Sequence, residues 1–152
     1  MTVLLGKTRG MKICLLMLGK TRRPEMVAAL DDYSKRISRS CPVELVEARD
    51  AAAALKRLDA NRAAVSALLD AGGKVYDSDA FAKWLGEQRD RGIREVIFVC
   101  GDADGFPDGL RERVKQKLSL SAMTYSHELA RVMLAEQIYR GFAILSGSPY
   151  PK

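Results

Sequence analysis

Apolar residues in this chain gather into short runs, separated by segments where they recur every three or four positions. "KICLLML" (12–18) and "EVIFVC" (95–100) are continuous apolar runs, the pattern of strands buried on both faces. "PVELVEA" (42–48) alternates and reads as a second strand. "AAVSALLD" (63–70) reads as a third, ended by Ala71-Gly72-Gly73, and "LSLSAMT" (118–124) as a fifth. The segments between them have helical spacing. Pro24 opens the first helix, where no N–H is needed, and Met26, Leu30, Tyr33 and Ile37 share a face. "AAAALKRLDA" (51–60), "DAFAKWLGEQRDR" (79–91, capped by Asp77 or Ser78), "LRERVKQK" (110–117) and "HELARVMLAEQIYRGFAIL" (127–145) are the other predicted helices.

Strands alternating with helices predict one α/β domain over residues 1–152, with a mostly parallel five- to six-stranded sheet flanked by helices. Such sheets bind ligands at the carboxyl ends of their strands. Here those ends are 69–73, 101–105 and 121–126. The last helix departs from the usual single stripe. Leu129, Val132, Met133, Leu134, Ala135, Ile138, Tyr139, Phe142 and Ile144 run nearly all the way round it. That predicts cover on more than one side, and a second subunit is the expected cover. Glu136 and Arg140 stand at a favourable i,i+4 spacing.

Charge adds a direction to this outline. Residues 1–40 hold nine Lys/Arg against three Asp/Glu, which accounts for the whole net charge of +6. The rest of the chain carries sixteen of each sign. A basic end on a neutral body suits a phosphate-bearing partner such as RNA, although a solvated surface has the same composition. No apolar run nears membrane-span length, and Gly6 and Lys7 interrupt the first apolar residues, so a cytoplasmic protein with no membrane contact is expected.

Cys14, Cys41 and Cys100 form no C-x-x-C pair and the chain has one histidine, so no metal site is expected. "CGDADG" lacks the phosphate-loop pattern, and its aspartates would repel a phosphate. G-x-S-x-G and H-E-x-x-H are both absent. By itself His127 reads as structural. The residues alone give a domain with a loop site and a basic end, but no reaction.

The C-terminal stretch "SLSAMTYSHELARVMLAEQIYRGFAILSGSPYPK" (119–152) closely resembles the end of the RlmH family, SPOUT-class methyltransferases of 23S ribosomal RNA. The resemblance extends through "LLDAGGKVYDS" (68–78) and "VCGDADGF" (99–106) back to "MKICLLMLGK" (11–20). Residues 1–10 lie outside it; "LGKTR" occurs at 5–9 and again at 18–22, which raises Met11 as an alternative start.

The resemblance implies a C-terminal trefoil knot, a homodimer, the ribosome's 23S rRNA as partner and S-adenosyl-L-methionine as cofactor. It implies methylation at N3 of a pseudouridine in an rRNA hairpin loop. Carried over, the cofactor residues are Leu69, Gly101, Asp102, Ser121, Ala122, Met123, Thr124, Tyr125 and Ser126. The catalytic set is Tyr150, Lys152, His127 and Arg140. An imide N3 is protonated at neutral pH, so the reaction needs a base or a cation that stabilises the anion.

Two positions depart from the family pattern. Pro151 stands where the family has histidine, and Asp102 where it has a second glycine. They leave open a homologue that binds rRNA and cofactor with weak turnover; methylation of another RNA is a third option, since the sequence does not name the nucleotide.

Overall fold

The computed structural model describes residues 10–150. Its elements are β1 (Lys12–Leu18), α1 (Pro24–Ile37), β2 (Val43–Ala48), α2 (Ala51–Asp59), β3 (Val65–Val75), α3 (Ser78–Asp90), β4 (Glu95–Cys100), α4 (Asp108–Arg113), β5 (Gln116–Ser119) and α5 (His127–Ser146). The five strands form one sheet in the order β2-β1-β4-β3-β5, and every pairing is parallel.

The central strands explain the unbroken apolar runs. Alternate residues of β1 point to opposite faces. Ile13, Leu15 and Met17 join Leu30, Phe81, Leu85, Leu134 and Ile138 of α1, α3 and α5 in one core. Cys14, Leu16 and Leu18 join Ala54, Leu58 and Leu110 of α2 and α4 in the other. All of β4 is buried.

Three predicted boundaries are corrected. β3 does not stop at Ala71-Gly72-Gly73 but runs on to Val75, with a register shift between Leu69 and Lys74 opposite β5. The two glycines therefore form an irregularity inside a strand. At Gly73 a Cβ would lie 2.5 Å from the carbonyl carbon of Lys117, so the close approach of β5 requires glycine. The fourth helix ends at Arg113 rather than 117, and β5 covers Gln116–Ser119 rather than 118–124. Residues 120–126 leave the sheet as a loop because their hydrogen bonds are local ones. Ser119 Oγ donates to the carbonyl of Ser121 at 2.7 Å, and Ser121 Oγ accepts from the N–H of Met123 at 3.0 Å.

Asp77 supplies the cap of α3, accepting from the N–H of Ala80 at 2.7 Å. Gly147, with φ of 76°, ends α5, and the N–H of Ser148 reaches back to the carbonyl of Ala143.

At the amino ends of the strands, Glu95 is buried and bonded to Arg57 and Asn61, with Lys12 at 3.7 Å. Burial alone would raise the Glu95 carboxyl. The hydrogen bonds from Arg57 and Asn61, with both nearby cations, hold it below its ordinary range. Cys14, Glu44 and Glu95 bring their ligand atoms within 4.8 Å of one another. Arg57 bonds both carboxylates, and burial pushes the Cys14 thiol up to about 12, so this donor set suits the guanidinium better than a metal ion.

The two glycines in β3 should separate on mutation. Gly73→Ala forces a backbone clash and should cost about 1–3 kcal/mol in urea unfolding. Gly72→Ala meets only Asp70 Oδ1 at 3.9 Å and should stay within about 0.5 kcal/mol of the parent. Equal stabilities for the two variants would contradict the close approach.

Candidate active site

The irregular middle of β3, the carboxyl end of β4 and the loop after β5 surround a cavity of about 440 Å³. Leu69 to Ala71 form one wall, Cys100 to Ala103 with Gly105 and Phe106 the floor, and the loop from Leu120 the third side. His127 and Ala130 close it from the first turns of α5. Eight of the nine residues carried over for the cofactor line this cavity; Ala122 does not. Met123 is 71% exposed at the mouth, an apolar side chain with nothing over it.

The floor is built by a tight turn. Gly101 must be glycine, since a Cβ there would lie 2.8 Å from the carbonyl oxygen of Gly105. Asp102 bridges to Gly105 across the turn, and its carboxylate accepts the N–H of Asp104 at 2.8 Å. One oxygen of this departure from the family pattern is thus turned back onto its own loop. Asp70 and Arg111 pair at 2.8 Å on the rim, where Arg111 lies over the ring of Phe106 at 5.6 Å. The Arg111 hydrogen bond and the Gly72 N–H keep the Asp70 carboxyl below its ordinary range. Burial pushes the Cys100 thiol up to about 12, so it is no thiolate nucleophile near neutral pH.

Two buried charges hold this end of the molecule, and no motif points to them. Arg131 is fully buried. Its guanidinium donates to the carbonyls of Leu18 (2.6 Å), Gly19 (3.3 Å) and Gly101 (3.4 Å), and to Thr21 Oγ1 (2.9 Å). Burial lowers its pKa, and its Nε has no partner among the described residues. Glu128 is almost as buried and accepts the backbone N–H groups of Arg22 and Arg23 at 3.0 and 3.1 Å. These bonds keep its carboxyl below the ordinary range. His127 Nε2 lies 3.9 Å from the same carboxylate. The basic segment 20–23 is therefore tied to the helix that walls the cavity. Arg131 and Glu128 were legible only as charges inside an apolar helix pattern.

Of the catalytic set predicted from sequence, the described members His127, Arg140 and Tyr150 are not brought together within one chain. His127 lines the cavity, while Arg140 and Tyr150 do not. From His127 to Arg140 the helix axis rises about 20 Å. After Gly147 the tail folds back on α5. Tyr150 packs edge-on against Tyr139 at 4.6 Å, beneath the Arg140 guanidinium at 5.2 Å. Its hydroxyl donates to Glu136 Oε2 at 2.8 Å, the oxygen that also takes Arg140 Nη2 at 2.6 Å and Nε at 3.1 Å. The expected Glu136–Arg140 pair is thus formed. Lys152 and Pro151 lie outside the described residues. A second cavity of about 430 Å³ adjoins this cluster; Tyr33, Tyr76, Phe81, Met133 and Glu136 line it, and Leu120 lines both cavities.

Residues 11–151 match the family described as "Predicted SPOUT methyltransferase". The chain is 41% identical over 151 residues to ribosomal RNA large subunit methyltransferase H of Pelobacter propionicus, covering 92% of this chain and 99% of that relative. It is 38% identical over 151 residues to the protein of the same name in a Geobacter species, covering 92% and 98%. Among solved structures it resembles the SpoU methyltransferase AviRb of Streptomyces viridochromogenes, in complex with the cofactor AdoMet. There the TM-score is 0.52 at 12% identity, over 87% of this chain and 58% of that one, a likeness of fold. The parallel sheet, the cavity at its carboxyl edge and these matches agree: the chain belongs to the SPOUT methyltransferase family, among the ribosomal RNA large subunit methyltransferases H.

Proposed function

We propose that this protein transfers a methyl group from S-adenosylmethionine to N3 of a pseudouridine in a hairpin loop of large-subunit ribosomal RNA. The observation that carries this reading is the cavity bounded by the irregular middle of β3, the carboxyl end of β4 and the loop after β5, in a chain similar over 92% of its length to an rRNA methyltransferase. The cavity has the size of a small-molecule site and mixes apolar side chains with polar ones. Leu69, Leu120, Met123 and Ala130 would flank the adenine, and the backbone of the 101–105 and 121–126 turns would hold its edges. With Asp70 paired to Arg111, the Asp102 carboxylate would favour a cationic ligand there. When bound, the cofactor supplies an already activated methyl group on a sulfonium. The protein's own residues orient the base and dispose of its imide proton. Cytoplasmic ribosomes supply such a substrate.

The acceptor RNA fits the basic segment. Arg22 and Arg23 are exposed beside the cavity, fixed through their backbone by Glu128. A homodimer completes the site. Leu129 and Ile144 are more than a third exposed and Val132 and Met133 half-buried on α5, an unusual apolar surface for a helix already packed on α1 and α3. Two copies of α5 crossing antiparallel about a twofold axis would set the carboxyl half of one helix beside the amino half of the other. Arg140 and Tyr150 of one copy would then face the His127 end of its partner, which no single chain achieves.

Three outcomes are expected. Tritiated methyl should pass from S-adenosylmethionine to large ribosomal subunits that carry the unmethylated pseudouridine, with the label mapping to one hairpin fragment. Label in another RNA, or none, would overturn the reading.

In solution the protein should have twice the monomer mass of 16.8 kDa. Leu129→Glu with Met133→Glu should give monomers that lose transfer. Both forms should still gain about 2.7 kcal/mol of stability at about 100-fold excess of cofactor over Kd, since the cavity is built within one chain.

Replacing Arg22 and Arg23 by Ala should weaken RNA binding. It should also flatten the log–log salt dependence by about 0.7–0.9 for each phosphate that the variant no longer neutralises. An unchanged slope would place the RNA elsewhere.

A further inference from the structure

We propose that Glu136 is the terminal proton acceptor of the methyl transfer and takes the imide proton through the hydroxyl of Tyr150. The proposal rests on the reading above, that a pseudouridine N3 is the nucleophile and that Tyr150 meets it. It adds the group that removes the proton, which the sequence does not name. The chain has one histidine, on the cavity wall at the far end of α5, and neither Pro151 nor the proline before Tyr150 carries a base.

The geometry sets the direction of transfer. Tyr150 gives its only hydroxyl proton to Glu136 Oε2 at 2.8 Å. With that proton committed, the phenol oxygen can meet an incoming N3–H only as an acceptor. The hydroxyl is held in this orientation from several sides. Its ring packs on Tyr139, Arg140 lies over its face, and Arg140 grips the same carboxylate with two N–H groups. Gln137 donates to the other oxygen, Oε1, at 2.8 Å.

In the step itself the N3–CH3 bond forms as the S–CH3 bond breaks. The N3–H proton moves to the phenol oxygen while the phenol's own proton moves to Glu136 Oε2. The tyrosine ends neutral, as it began. The positive charge lost at sulfur reappears as the proton that neutralises the carboxylate. A free tyrosinate is not needed, which matters because burial, with Glu136 and Tyr33 beside it, raises the phenol's pKa.

The charged and titratable groups around Glu136 come from several elements. Arg140 and Tyr139 share its helix, and Tyr150 is on the tail. Tyr33 and Arg36 come from α1, where Arg36 sits over the rings of Tyr33 and Tyr139 at 5.5 and 5.7 Å. Tyr76 and Asp77 line the same cavity from the end of β3. Arg140 places its positive charge directly against the oxygen that accepts from Tyr150.

The test is single-turnover transfer to a pseudouridine-bearing hairpin by the dimeric protein, from about pH 6 to about pH 9, in wild type, Glu136→Gln, Glu136→Asp and Tyr150→Phe. Glu136→Gln keeps the shape and a hydrogen bond to Tyr150 but cannot take the proton. It should bind the hairpin and S-adenosylhomocysteine within about twofold of wild type and lose about 10²–10⁴-fold in rate at neutral pH. Its residual rate should become first order in hydroxide across the range where wild type is flat. Tyr150→Phe should show the same change of profile, and Glu136→Asp should regain part of the rate and the flat profile.

A readout without cofactor or RNA checks the contact itself. In the near-ultraviolet, the phenol that disappears in Tyr150→Phe should ionise at lower pH in Glu136→Gln than in wild type. A Glu136→Gln protein with the wild-type profile at a uniformly lower rate would leave Glu136 as packing only and overturn the proposal. A wild type that binds S-adenosylhomocysteine yet methylates no pseudouridine hairpin would instead overturn the underlying function, and this proposal with it.

Discussion

One buried cation organises the functional end of this protein. In a parallel sheet the last carbonyls of each strand point out of the carboxyl edge, and there they need donors once a helix covers them. Arg131 supplies those donors. A single guanidinium bonds the carbonyls of Leu18, Gly19 and Gly101, and so ties the ends of β1 and β4 to the first turns of α5. Stripping a guanidinium of water costs several kcal/mol, and here carbonyl dipoles rather than a bonded carboxylate offset it. The planar fork of arginine makes this possible, since no lysine reaches so many acceptors at once. Gly101 is also the floor of the cavity, so the residue that caps the sheet also places the turn that floors the cavity.

Glu128 extends the same arrangement outward. It takes the N–H groups of Arg22 and Arg23, so the exposed arginines leave the body from a fixed backbone. The two buried charges lie one turn apart on α5 and face the β1–α1 connection. A basic surface and a small-molecule cavity therefore share one rigid support. For a methyl transfer between two bound molecules, that removes much of the freedom that would otherwise have to be frozen at the moment of reaction.

The other half of α5 has a different task. Glu136, Arg140, Tyr139 and Tyr150 form one cluster of aromatic rings and paired charge, far along the helix from His127. One helix carries the cavity wall at its start and the tail cluster toward its end. Its length keeps them apart within a chain. Leu129 and Ile144 leave part of its apolar surface uncovered in the single chain.

Much of this was legible in the order of residues. The continuous runs at 12–18 and 95–100 announced central parallel strands, because a strand covered on both faces has no polar side to show. The segments 69–73, 101–105 and 121–126 followed as expected strand ends, and the family resemblance pointed to the same turns; residues of all three line one cavity, although the first lies inside β3. Local pattern failed where a close approach of another strand, or a side chain bonding its own loop, decided. Gly72 and Gly73 looked like a strand's end, but the approach of β5 makes them an irregularity within β3. "LSLSAMT" alternates like a strand, yet its serines satisfy their own loop. Arg131, Glu128 and Glu136 could be read as charges on a helix, and the i,i+4 rule even paired the last with Arg140. Their partners at residues 18–23, 101 and 150 could not be read, because those contacts join positions up to 113 apart. Sequence determined the strands, the helices and the edge where they open. Only the tertiary structure decided which buried charge holds which carbonyl, and that Tyr150 turns back onto Glu136 instead of reaching its own chain's cavity.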